Sequence, residues 1–209
     1  MRLLIATHNR GKLIEYQAMF TDVSVELVTL DDVGIRDDVE ETGATLAENA
    51  RLKALTYARA SGLLTLADDS GLEVDALGGE PGVRSKRYAG DNVSDAERNA
   101  FLLARLRDVP AGQRTARFRC AIAIATPDGK LWETDGTCEG EIAFDARGTN
   151  GFGYDPIFHV TARGVRMAEL STAEKNRVSH RARAAEKARQ ILMEIVSGSS
   201  RQWTGGRRQ

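Results

Sequence analysis

Four short stretches of this chain combine residue types that chemistry can use. The first begins as an apolar run, Arg2 to Thr7, passes through the polar turn HNRGK, and continues into a segment with Leu13, Tyr16 and Phe20 at helical spacing. A strand, a small turn and a helix in that order can cradle an anion on backbone N–H groups at the helix N-terminus. Thr7, His8, Asn9, Arg10 and Gly11 would form the cradle and Lys12 would supply the compensating charge. It is not a Walker loop, because Ala6 and Leu13 stand where that pattern needs glycine and serine or threonine.

The second stretch, Asp68-Asp69-Ser70-Gly71, follows the most apolar strand candidate of the first part of the chain, Gly62 to Ala67. Adjacent carboxylates at a strand end repel unless a cation or hydrogen bonds offset them, and a divalent ion is the simplest remedy. Mg2+ takes one or two carboxylates together with waters and phosphate oxygens. Glu40 or Glu41, in the acidic connection Asp31 to Gly43, can complete the set with Asp68 and Asp69.

The third stretch, Gly151-Phe152-Gly153-Tyr154-Asp155, flanks a ring with glycines, so a ligand ring becomes a natural stacking partner and Asp155 can meet a base edge. The fourth gathers Lys175, His180 and Arg181. On one helix Lys175 and His180 stand about 140° apart, so they converge only from a concave position. Taken singly, each stretch has a plain alternative: a structural turn, a solvated acidic bend, a hairpin with its ring in the core, a solvated basic helix face. Together they are the parts of a nucleoside triphosphate pocket.

The elements that must position these residues are legible from periodicity. Ser24 to Leu30 alternates as a second strand. Three capping boxes, Thr45 to Glu48, Ser94 to Glu97 and Ser171 to Glu174, open helices, the last of them running on with Val178, Ala182, Ala185, Leu192 and Ile195 on one face. Lys53 lies on the first of these helices. Arg114 to Thr126, Leu131 to Cys138 and Glu141 to Phe144 read as an antiparallel meander. The glycine-rich GGEPGVRSKRYAG reads as a mobile loop between lobes, and Ser197 to Gln209 as a disordered tail outside a single two-lobed domain of residues 1–196.

Composition narrows the class. The chain has 209 residues, 42% hydrophobic and 28% charged, which is a soluble globular balance. Its 29 basic and 30 acidic residues give a net charge of −1, and aromatics make up 6%, so neither a field nor a stacking platform for nucleic acid is present. Cys120 and Cys138 have no zinc-type spacing, and no apolar run is long enough for a membrane span. A cytoplasmic protein with no membrane or nucleic-acid partner is the expectation.

Quoted together, ATHNRGK, EETG, ADDSGLEVDALGGEPGVRSKRYAG, GFGYDPIF and AEKNRVSHRA resemble the inosine/xanthosine triphosphate pyrophosphatase family, the Ham1-like enzymes, in order from residue 3 to about residue 195. The resemblance implies an α/β fold with a long mixed sheet flanked by helices, a substrate cleft between two lobes, a homodimer, and Mg2+-dependent cleavage of deaminated purine triphosphates to monophosphate and pyrophosphate. It places Thr7, Asn9 and Lys12 on the phosphate turn, Asp69 as base and metal ligand, Glu41 or Glu40 as second ligand, and Ser70 as a substrate contact. Phe152 to Asp155 fall on the base-binding segment, while Lys175, His180 and Arg181 fall on the residues that select the purine. One departure is His8, where many relatives have glycine, which bears on the backbone of the turn. A related alternative is a Maf-like pyrophosphatase for modified pyrimidine nucleotides; another is a non-catalytic nucleotide-binding regulator.

Overall fold

The computed structural model describes residues 1–203. One mixed seven-stranded sheet runs in the order β2-β1-β3-β4-β5-β6-β7. Its strands are β1 (Arg2–Ile5), β2 (Glu26–Thr29), β3 (Leu64–Val74), β4 (Thr115–Ala125), β5 (Leu131–Ile142), β6 (Phe158–Val160) and β7 (Val165–Arg166). β1 is parallel to both β2 and β3, and every later pairing is antiparallel. The helices are α1 (Arg10–Met19), α2 (Leu46–Ser61), α3 (Asp95–Arg105), α4 (Thr172–Val178) and α5 (His180–Trp203).

Each of the three expected N-cap residues starts a helix. Thr45, Ser94 and Ser171 accept from the backbone N–H three residues on, and the last two pairs are fully reciprocal. Each such cap is worth about 1 kcal/mol. The expected single helix after Ser171 is instead two, because Ser179 leaves helical geometry at ψ 156°. Its backbone N–H still donates to the Lys175 carbonyl while its hydroxyl accepts from Ala182, so one serine ends α4 and starts α5. α5 continues to Trp203, past the expected domain boundary at residue 196; residues 204–209 of the expected tail lie outside the described residues.

Three apolar clusters organise the packing. One joins Leu3, Ile5, Leu66 and Ile122 to α1 and α5; a second, on the other face, joins Leu4, Val28, Ala67 and Ala123 to α2. The third gathers Leu72, Val74, Leu102, Phe118, Phe158 and Val178 at the far end of the long strands, beneath α3 and β6. Gly136 lets α5 onto the sheet: a Cβ there would stand 2.2 Å from the His180 carbonyl oxygen.

Asp68-Asp69-Ser70-Gly71 is not a strand end. The β3–β4 ladder runs unbroken from Thr65↔Ala125 to Val74↔Ala116, so the turn-forming residue types are overridden by pairing with a long apolar neighbour. The two carboxylates therefore point to opposite faces and need no shared cation to relieve repulsion. β1, however, stops at Ile5, opposite Leu66. Beyond it the β3 edge is free of a strand neighbour, and the cavity lies along that edge. The glycine-rich segment expected as a mobile loop is folded onto the same strand. Its 3-10 turn, Gly82–Arg87, sends the Ser85 hydroxyl to accept from the Leu72 N–H at 2.8 Å, and Gly71 has no Cβ to keep the Gly82 carbonyl away.

Candidate active site

A cavity of about 550 Å3 opens where β1 gives way. At one end is the turn after β1. Asn9 caps α1, its Oδ1 accepting from the Lys12 N–H at 3.2 Å, and the Thr7 hydroxyl accepts from the Asn9 N–H at 3.2 Å. Thr7, His8, Asn9, Arg10, Gly11 and Lys12 all line the cavity, as expected. Among the described non-glycine residues only Asn92 has positive φ, so the turn does not ask His8 for the left-handed backbone that glycine would favour.

The two aspartates of β3 have opposite fates. Asp68, 2% exposed, does not line the cavity; its carboxylate takes the Lys12 ammonium at 2.9 Å, the Arg181 guanidinium at 3.3 Å and the Ser70 hydroxyl at 3.2 Å. Burial pushes its carboxyl up, but Lys12, then Arg181 and Lys53, outweigh this and hold it well below the usual carboxylate range. Asp69 lines the cavity with Ser70. Burial raises its carboxyl, Lys53 opposes this, Glu41 adds to it, and the net direction is upward. Asn49 donates to one Asp69 oxygen at 3.1 Å, and Lys53 reaches the other at 3.4 Å.

Glu41 lines the cavity too and shares Lys53, at 2.8 Å. Glu40 is exposed and does not. Of the four residues of the expected acidic set, Asp69 and Glu41 line the cavity, whereas Glu40 is exposed outside it and Asp68 is buried away from it, with Lys12 and Arg181 on its Oδ2 and its Oδ1 without a partner among the described residues. Among the described residues no three His, Cys, Asp or Glu side chains are grouped to hold a metal. Two cavity carboxylates around a cation position now held by Lys53 nonetheless fit Mg2+, which draws its remaining ligands from water and phosphate.

At the other end Phe152, Gly153, Tyr154, Asp155, Lys175, His180 and Arg181 line the wall. The break at Ser179 resolves the angular problem, since Lys175 sits on α4 and His180 and Arg181 on α5. Several of these groups are structural partners of one another. The Lys175 ammonium is bonded to Asp155 at 2.6 Å and Glu15 at 2.8 Å and lies 4.6 Å from the Phe152 ring centroid. Arg181 spans Glu15, Asp68 and the Ser70 hydroxyl. Asp155 accepts from the Phe152 N–H at 2.9 Å, and the Tyr154 hydroxyl donates to the Ser85 carbonyl. His180 stacks on Phe118 at 4.8 Å, and its Nδ1 is buried without a partner among the described residues. Burial first, then Arg181 and Lys175, lower its pKa well below the ordinary histidine value, so the ring is neutral. The Phe152 ring rests against Gly11, where a Cβ would stand 2.5 Å from Cδ1, so the aromatic segment reaches the turn after β1.

Sequence reasoning missed Asn49, Glu15 and Tyr57. Asn49 carried a usable signal: it precedes Lys53 by four residues, which places both on one face of α2. It also ties Asp69 to the acidic segment, its Oδ1 accepting from the Gly43 N–H at 2.7 Å. The Tyr57 hydroxyl, one turn further, holds that segment through the Val39 N–H and the Asp37 carbonyl. Glu15 gives no signal in sequence, being one polar residue on a half-apolar helix.

A family model described as the Ham1 family matches residues 3–191. The dITP/XTP pyrophosphatase of Geobacillus kaustophilus (strain HTA426) is 50% identical over 199 residues, 95% of this chain and 98% of that protein. That of Geobacter sulfurreducens is 51% identical over 183 residues, 88% and 92% of the two chains. Among solved structures, a HAM1 protein from Coxiella burnetii superposes with a TM-score of 0.85 at 42% identity, covering 93% of this chain and 99% of that one. The Ham1 protein of Staphylococcus aureus does so with 0.82 at 41% identity, covering 93% and 100%. With the expected mixed sheet, flanking helices and motif order all present, this chain belongs to the Ham1 family.

Proposed function

We propose that the protein hydrolyses deaminated purine nucleoside triphosphates (ITP, dITP, XTP) to the monophosphate and pyrophosphate. The observation that carries this reading is that one cavity gathers a capped anion turn with Lys12, the Asp69–Glu41–Lys53 group and a ring-and-histidine wall. The names of the relatives agree with it.

In this mechanism the triphosphate lies toward the turn at Thr7–Lys12, with the purine toward Phe152 and His180. Asp69 orients the attacking water and accepts its proton; a carboxylate held above its ordinary pKa is a better base than its neighbour Asp68. Asn49 fixes the Asp69 carboxylate by one oxygen and leaves the other toward Lys53. Water oxygen bonds to the α-phosphorus, the bond to the bridging oxygen breaks, and pyrophosphate departs with that oxygen. Lys12 and Lys53 compensate its charge. Asp69 and Glu41 would hold Mg2+, which supplies charge neutralisation at the phosphates when bound. At the other end a neutral His180 offers the purine edge a donor or an acceptor without a competing charge. A fixed donor at O6 favours inosine and xanthosine over adenine, whose amine would face it.

Magnesium dependence, action in the cytoplasm and a homodimeric state belong to the same proposal. The test is product identification. Purified protein with Mg2+ and ITP, XTP, dITP, ATP or GTP should release pyrophosphate and monophosphate from the first three. Single phosphate, or equal turnover of ATP, contradicts the reading. Chelation should abolish turnover, and light scattering should give twice the chain mass.

A further inference from the structure

We propose that Asp95 and Asn99 of α3 are positioning residues for nucleobase recognition, holding both backbone polar groups of Gly153 and so setting where the Phe152 ring stands. The inference rests on the proposed function and concerns the base end of the same cavity.

The two residues are four apart and share one face of α3. The Asp95 carboxylate accepts from the Gly153 N–H at 2.6 Å, and the Asn99 side-chain amide donates to the Gly153 carbonyl at 3.1 Å. A single residue next to the ring is thus gripped at its donor and its acceptor, at a backbone position with φ 64°. The grip is itself rigid. The reciprocal Ser94–Glu97 cap fixes the start of α3, and Arg98 binds the other Asp95 oxygen and the Val93 carbonyl. Leu102 and Leu106 anchor the rest of the helix in the cluster beneath the cavity.

Asn99 shows that the contact has a purpose beyond packing. It is 5% exposed, does not line the cavity, and its Oδ1 is buried without a partner among the described residues. The one hydrogen bond its side chain makes among the described residues is to Gly153. Asp155 holds the Phe152 N–H from within the turn and Tyr154 reaches the Ser85 carbonyl, so α3 supplies the third and external support of the segment. Asn99 acts only through Gly153, and Asp95, which also lines the cavity, acts mainly so.

The test compares wild type with Asn99→Asp, which keeps shape but sets a carboxylate against the Gly153 carbonyl, and with Asp95→Ala and Asp95→Asn. Asn99→Asp and Asp95→Ala should raise KM for ITP about tenfold, the scale of one lost hydrogen bond to the backbone, more than they lower kcat. They should also narrow the preference for ITP over ATP. Asp95→Asn keeps an acceptor for the Gly153 N–H but sets its amide against Arg98, so its KM should fall between those of wild type and Asp95→Ala. A merely structural role would lower kcat through the folded fraction and leave KM and the ITP-to-ATP ratio in place, and that result overturns the proposal. Gly153 amide exchange, followed by NMR in the free protein, should quicken in Asp95→Ala; unchanged exchange overturns the clamp whatever the substrate. A wild type that leaves ITP intact would instead overturn the function reading.

Discussion

Asp68 and Asp69 are neighbours on one strand, yet the two sides of β3 use the same functional group in opposite ways. On the α1 and α5 side Asp68 is closed in by Lys12, Arg181 and Ser70, and its charge is spent on holding three elements together. On the α2 side Asp69 faces the cavity with one oxygen tied to Asn49 and the other near a lysine shared with Glu41. Alternation along a strand is what separates them. A pair that in sequence reads as one doubly acidic site is a buried structural carboxylate back to back with one that faces the cavity.

The sharpest way to break the comparison is to remove the structural member. Asp68→Asn leaves Lys12 and Arg181 short of a buried counter-charge, a loss of about 3–5 kcal/mol in urea unfolding. A loss under about 1 kcal/mol would mean that the network is slack. Asp69→Asn should do the reverse: kcat falls by at least about two orders of magnitude while unfolding free energy changes by less than about 1 kcal/mol. Retained stability follows because a carboxyl whose pKa is raised by folding gains nothing from being ionised there.

A smaller effect comes from His180, the neutral ring among the charges on the α5 side. Its folded pKa lies below the unfolded value near 6.5, so below that pH the unfolded chain binds the extra proton. Stability therefore falls as pH drops below about 6.5, by at most about 1.4 kcal/mol per pH unit, and levels off above it. His180→Gln should flatten that slope in unfolding titrations run from pH 5 to 8. The smallest effect sharpens the acidic set: Glu41→Gln should raise the Mg2+ concentration needed for half-maximal turnover, whereas Glu40→Gln, out in solvent, should leave it at the wild-type value.

Much of this was legible in the sequence. Thr45, Ser94 and Ser171 cap α2, α3 and α4 where the sequence puts them, because a cap is a local hydrogen bond that needs no tertiary context, although the full reciprocal box forms only at α3 and α4. The anion turn, Asp69, Glu41 and the Phe152 segment all reach one cavity. The misreadings share a cause, a tertiary partner invisible to local rules. Asp-Asp-Ser-Gly is turn composition, and only the ladder with β4 keeps it extended. The helix break at Ser179 hides because Val178, Ala182 and Ala185 keep apolar spacing across it. Gly78 to Gly90 has loop composition, and its order comes from Ser85 and Gly71. Glu15 has meaning only once Lys175 and Arg181 arrive from the far end of the chain.

Asp69, on the open side of β3, is the proposed base of a reaction that cuts a triphosphate between its α and β phosphorus atoms. The direct measurement is stoichiometric product analysis with ITP and Mg2+, run side by side on wild type and Asp69→Asn at matched folded concentration. Equal amounts of inosine monophosphate and pyrophosphate from the wild type, with at least about a hundredfold slower release from Asp69→Asn, is the result this account predicts. Single phosphate as product, or near-normal turnover by Asp69→Asn, would contradict it.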